Sequence, residues 1–86
     1  MNGYSVQLGR SAAHELRRLP AQVVRRVARA IDRLPANPRP RGVQKLVGSE
    51  STFRIRVSDY RVIYEIEDEA QTIVVTRIRH RKDAYK

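Results

Sequence analysis

Three features of the sequence predict an α+β fold, with two helices packed on one face of a small, mainly antiparallel sheet. Apolar residues recur at helical spacing before residue 35, the apolar period changes to two after Gly48, and three prolines separate the two regimes. The 86 residues suit one domain spanning 1–86, since a chain of this size buries roughly 60% of its unfolded surface around one core.

Tyr4 to Leu8 alternates apolar and polar residues as a half-buried strand does, and Gly9 ends it. Ser11 is placed to cap a first helix carrying Ala12, Ala13, Leu16 and Leu19 at helical spacing up to Pro20. A second helix is expected over 21–34, where Val23, Val24, Val27, Ala28, Ile31 and Leu34 form an apolar stripe with Arg25, Arg26, Arg29 and Arg33 outside it. Pro35, Pro38 and Pro40 forbid regular structure and define a connecting loop up to Gly42. Phe53, Ile55 and Val57 then alternate with polar residues, as do Val62, Tyr64 and Ile66, giving two strands around a turn at Asp59-Tyr60. After an acidic turn at Glu67 to Ala70, the β-branched run from Thr72 to Ile78 is typical of a central strand. The predicted order is βααβββ, followed by a short basic tail or helix.

Composition narrows the function. The chain has no cysteine, and its two histidines, His14 and His80, lie far apart, so neither a disulfide scaffold nor a zinc knuckle is expected. No cofactor or metal is implied. There is no long apolar run or leader, which points to a cytoplasmic protein without a membrane partner. Lys and Arg total 18 against 9 Asp and Glu, a formal net charge of +9, and 15 of the 18 are Arg. Guanidinium is a flat, permanently charged fork of donors that matches phosphate oxygens and stacks on bases. An Arg-dominated surplus therefore points to nucleic acid or an acidic protein, with a merely solvated basic surface as the bland alternative.

Strand register decides which arginines meet, because side chains change face at every residue. Pairing Val57 with Val62, Ile55 with Tyr64 and Phe53 with Ile66 gathers the bulky apolar residues on one side. A one-residue slip would mix charge into the core, at a cost of ~1.5–3 kcal/mol for each buried side chain lost. In the favoured register Arg54, Arg56 and Arg61 leave the sheet on the side opposite the helices, with Ser58 beside Arg61 and Glu65 beside Arg54. Glu15 and the acidic turn are expected to be solvated. A second basic group, Arg77, Arg79, His80, Arg81 and Lys82, follows the last strand and can fold back over the same face. Arg25, Arg29 and Arg33 form a further basic stripe on the second helix, suited to RNA phosphates or to an acidic segment of a partner.

The strings Phe53-Arg54-Ile55-Arg56-Val57, Asp59-Tyr60-Arg61-Val62-Ile63-Tyr64-Glu65-Ile66 and His80-Arg81-Lys82-Asp83-Ala84-Tyr85-Lys86 resemble the RelE toxins of type II toxin–antitoxin modules. Leu19-Pro20 and the loop from Asn37 through Lys45-Leu46 to Gly48 look like the same family, so the resemblance covers essentially the whole chain. It implies a ribosome-dependent endoribonuclease, an mRNA interferase that cuts translated mRNA at the ribosome by attack of a 2′-hydroxyl, without metal. It also implies a cognate RelB-like antitoxin that wraps the toxin through an acidic segment in a hetero-oligomer.

Carried over by position, the resemblance assigns catalytic roles to Arg54, Arg56, Arg61, Arg81 and Tyr85. Lys45, Arg77, Arg79, Lys82, Arg25, Arg29 and Arg33 are then expected to contact RNA or the ribosome. Arg54 and Arg56 stand where relatives carry lysines, and guanidinium does not deprotonate, so His80 is the candidate proton acceptor. Two alternatives belong to other classes: a ParE-like toxin that inhibits DNA gyrase and cuts nothing, and a simple basic RNA-binding module.

Overall fold

The computed structural model describes residues 3–82. Strand β1 (Ser5–Leu8) leads into helix α1 (Arg10–Arg17) and helix α2 (Ala21–Arg33). Four strands follow, β2 (Gln44–Lys45), β3 (Thr52–Val57), β4 (Tyr60–Glu67) and β5 (Thr72–His80). They form one five-stranded sheet in the order β1-β5-β4-β3-β2, with β1 parallel to β5 and every other pair antiparallel.

The first helix begins two residues earlier than the serine suggested. Gly9, not Ser11, is its N-cap residue, in extended conformation. The Gly9 N–H bonds the Val75 carbonyl at 2.8 Å, and an added Cβ would come within 3.1 Å of that same oxygen. Glycine thus suits the point where the chain leaves β1 and turns over the sheet, since a side chain there would press on the Val75 carbonyl. The second helix ends at Arg33, with Leu34 at its C-cap.

One layer of helix covers one face of the sheet. Ala12, Val27, Ile31 and Leu34 from the helical segment meet Phe53, Ile55, Val62, Tyr64, Ile66, Ile73, Val75 and Ile78 from the strands, all buried. Tyr64 lies at the centre, stacked on Phe53 with ring centroids 6.2 Å apart, and its hydroxyl donates to the Pro38 carbonyl at 2.7 Å. Burial pushes the Tyr64 phenol up to about 12. That hydrogen bond ties the proline loop to the core. The loop is also held at its surface, where Arg39 pairs with Asp68 at 2.9 Å, Tyr4 donates to Asp68 at 2.7 Å, and the Arg39 guanidinium sits 5.1 Å from the Phe53 ring centroid. The acidic turn is therefore a tie point at Asp68 and not simply a solvated corner.

The β3–β4 hairpin departs from the expected register by two residues. Val57 faces Tyr60, Arg56 faces Arg61, Ile55 faces Val62 and Phe53 faces Tyr64. The turn contains only Ser58 and Asp59, and Ser58 takes the left-handed conformation at φ 58° that so tight a connection needs. A shift of two preserves the faces and changes the neighbours. Arg54 and Arg61 lose the expected Glu65 and Ser58, because Glu65 faces Thr52 and Arg61 faces Arg56.

A bulge alters β5. Tyr64 faces Val75 whereas Ile63 faces Arg77, so Thr76 is the extra residue, and its hydroxyl donates to the Ile63 carbonyl at 3.2 Å. Simple alternation from Ile73 and Val75 would send Arg77 and Arg79 beneath the helices. The extra residue instead turns Ile78 into the core and leaves Arg77 and Arg79 on the open face.

Candidate nucleic-acid interface

Opposed residues of adjacent strands project on the same side about 5 Å apart. Arg56 on β3 faces Arg61 on β4, and Arg61 faces Arg79 on β5, so three arginines cross the open face in one row. The next row begins with Arg54, followed by Ile63 and Arg77. Like charges placed directly opposite destabilise a sheet. A row of three in register is a surface shaped for an anionic partner.

Local contacts position these groups. Arg54 donates from Nε and Nη2 to the Gln44 side-chain oxygen, at 3.0 and 2.6 Å, and Arg56 Nε donates to the Ser58 carbonyl at 3.4 Å. Both acceptors are neutral, so these contacts orient the guanidinium groups without cancelling their charge. The segment after β5 is anchored by the Arg81 N–H to the Asp59 carbonyl at 2.8 Å, which brings Arg81 beside the hairpin turn. Two adjoining clefts result. One of about 310 Å³ is lined by Gly42, Gln44, Arg54, Ile55, Arg56 and Arg61; the other, of about 430 Å³, is lined by Arg56, Arg61, Arg81 and Lys82. Arg54, Arg56, Arg61, Arg81 and Lys82 are thus gathered along one surface by elements up to 28 positions apart.

Other expected site residues lie elsewhere. His80 faces Tyr60, on the side of the sheet that the helices cover, with the two rings edge to face at 5.1 Å. Its Nδ1 accepts the Lys82 N–H at 3.2 Å, which in the neutral ring leaves the proton on Nε2. His80 therefore does not line either arginine cleft. Arg77 and Arg79 are on the open face but engage Glu15, with Arg77 Nη2 at 3.1 Å and Arg79 Nε at 4.0 Å from its carboxylate. Lys45, on the edge strand β2, pairs loosely with Glu50 at 3.8 Å. Arg25 and Arg29 line a shallow depression of about 240 Å³ on α2 with Gln22 and Arg26, and Arg33 is exposed at the end of that helix. Arg26 reaches the hairpin turn, donating to the Ser58 hydroxyl at 3.4 Å. Tyr85 lies outside the described residues.

Two contributors were not singled out from the sequence. Gln44 belongs to a strand of only two residues, too short to give a periodic signal, yet it fixes Arg54. Glu15, expected to be solvated, accepts the Ile78 N–H at 2.7 Å and Arg77 Nε at 3.1 Å. The arginine side chains can hold an RNA phosphate and stabilise charge that develops on its oxygens. Of the side chains lining the clefts, Lys82 carries the amine, and an amine exchanges protons where guanidinium does not.

Two helices on one face of a five-stranded sheet, with a cationic opposite face, make a small basic α+β protein, and the comparisons place it among the toxins. The model of the ParE toxin of type II toxin–antitoxin systems, parDE, matches residues 6–85. Toxin RelG of Mycobacterium tuberculosis is 32% identical over 84 residues, covering 96% of this chain and 97% of RelG. The archaeal RelE–RelB complex from Pyrococcus horikoshii OT3 contains a chain that superposes with a TM-score of 0.83 at 31% identity, over 98% of this chain and 100% of that one. The RelBE2 toxin–antitoxin complex of M. tuberculosis gives a TM-score of 0.80 at 30% identity, over 91% and 98%. The chain belongs to the RelE/ParE superfamily and is a toxin of a type II toxin–antitoxin system.

Proposed function

We propose that this toxin is a ribosome-dependent mRNA endoribonuclease acting in the cytoplasm. The observation that carries the reading is the cross-strand opposition of Arg56 and Arg61, with Arg81 lining the same cleft. RNA is the anion whose cleavage needs this equipment and no metal. The 2′-hydroxyl oxygen bonds to the adjacent phosphorus while the bond from phosphorus to the 5′-oxygen breaks, leaving a cyclic phosphate and a 5′-hydroxyl. Negative charge grows on the non-bridging oxygens as the transition state forms. Guanidinium groups already fixed around that point stabilise it without reorganisation. Arg61 and Arg81 hold the phosphate, Arg54 and Arg56 extend the grip along the strand, and Tyr85 stacks on a base next to the cut. Lys82 is the cleft side chain able to exchange a proton with the 2′-hydroxyl, the leaving 5′-oxygen takes its proton from water, and this reading gives His80 no part in the transfer.

The remaining basic groups, Lys45, Arg25, Arg29 and Arg33, meet ribosomal RNA phosphates by charge alone. A RelB-like antitoxin with an acidic, amphipathic segment wraps the toxin and neutralises the same surface, forming a toxin–antitoxin hetero-oligomer. The solved complexes of relatives with RelB support that partner.

A second reading, gyrase inhibition without cleavage, has the ParE family match in its favour. Mapping mRNA 5′ ends after induction separates the two. Cuts in phase with codons are expected; intact mRNA with inhibited supercoiling would replace the nuclease by the gyrase poison.

A further inference from the structure

Strand β1 pairs with β5 only as far as Val75, so the outer edge of β5 is uncovered from Thr76 onward. Glu15 fills that gap. Its Oε1 accepts the Ile78 N–H at 2.7 Å, and its Oε2 lies 3.1 Å from both Arg77 Nε and Nη2 and 4.0 Å from Arg79 Nε. A main-chain donor flanked by two guanidinium groups is an anion receptor, and the carboxylate within it is only 21% exposed. The placement is costly for the helix, because Glu15 sits in the last turn of α1, where a negative charge opposes the helix dipole. The carboxylate is held there by β5 and not by its own helix.

We infer that Ile78, Arg77 and Arg79 form a second anion-binding point that Glu15 occupies from within the chain, acting as a positioning residue that confines RNA to the Arg54–Arg56–Arg61–Arg81 side. Arg79 stands next to Arg61 in the cross-strand row. Without Glu15 the row would grip a phosphate at its β5 end as readily as at its β3 end, and the scissile linkage would lose its unique position. The inference rests on the nuclease reading, and the test separates the two.

The experiment measures binding of a single-stranded 2′-O-methyl RNA oligonucleotide, which resists cleavage, as a function of salt. Glu15→Gln keeps an acceptor for the Ile78 N–H and removes the charge. It should bind about 3–10-fold tighter than wild type at low salt, with a plot of log affinity against log salt steeper by about 1, since each released cation adds ~0.7 for a single strand. Glu15→Gln combined with Arg77→Gln should lose most of that gain. Glu69→Gln, which removes an exposed carboxylate from the β4–β5 turn, away from the arginine rows, controls for net charge alone. Equal gains from Glu15→Gln and Glu69→Gln, or an unchanged slope for Glu15→Gln, overturn the inference. On programmed ribosomes Glu15→Gln should also blur the cleavage position while retaining overall cutting. Retained single-position cutting counts against confinement, whereas wild type that never cuts counts against the nuclease reading alone.

Discussion

Arg39 and the arginines of the open face are the same residue put to opposite uses. Arg39 meets a carboxylate at Asp68, an aromatic face at Phe53 and a phenol-linked network through Tyr4, so its charge is answered within the chain. Arg54 and Arg56 donate to neutral oxygens, and Arg56 and Arg61 stand face to face across the hairpin. The acceptors around a guanidinium, and not its presence, separate a structural tie from a charge left open to a partner. Arg77 and Arg79 lie between the extremes, on the open face yet answered by Glu15.

The comparison breaks most visibly if the open-face arginines prove dispensable. Arg61→Ala and Arg81→Ala should each reduce mRNA cleavage on programmed ribosomes by roughly 10²–10³-fold, the usual cost of losing one preorganised donor to a developing oxyanion. Circular dichroism should show the fold retained, since neither side chain belongs to the core. Arg39→Ala should show the reverse, a lower melting temperature with cleavage close to wild type.

Next in size is the core tie. Tyr64→Phe leaves the Pro38 carbonyl without its donor and should cost about 1–2 kcal/mol, seen as a melting temperature lower by roughly 4–16 °C for a domain of this size. The wild-type phenol should titrate near 12 in an absorbance titration, against about 10 for a free tyrosine. A raised folded value means that the neutral phenol stabilises the protein fully below about 10, a contribution lost as pH rises toward 12.

A smaller effect comes from Asp68, whose carboxyl is held below its usual value by hydrogen bonds from Arg39 and Tyr4. A depressed folded value contributes stability above the unfolded value near 4, lost as pH falls through the folded one. Melting curves from pH 7 down to pH 3 should therefore converge for wild type and Asp68→Asn at the acid end, with wild type ahead at neutrality. The smallest effect concerns His80: His80→Ala should leave the pH profile of cleavage unchanged, because its ring faces Tyr60 and its Nδ1 is taken by the Lys82 N–H.

The layering and the site's face were legible because both depend on period. Phe53, Ile55, Val62 and Tyr64 had to share a side, and a register wrong by two still placed Arg54, Arg56 and Arg61 together. What escaped was set by geometry that period does not encode. The left-handed Ser58 shortened the turn and brought Arg56 opposite Arg61. The extra residue at Thr76 reversed the faces of everything after it, sending His80 toward Tyr60 and Arg79 toward Arg61. A signal for it was present, since arginines at 77 and 79 contradict an uninterrupted alternation from Val75. The parallel pairing of β1 with β5 joins segments 67 positions apart, and nothing local in Ser5 to Leu8 names its partner.

The most direct measurement follows the arginine Nε–H signals by NMR while an uncleavable 2′-O-methyl RNA is added. The signals of Arg54, Arg56, Arg61 and Arg81 should shift together as the RNA saturates the protein, while that of Arg39 stays in place. Movement of Arg39 with the four unmoved would contradict an RNA-binding role for the open face.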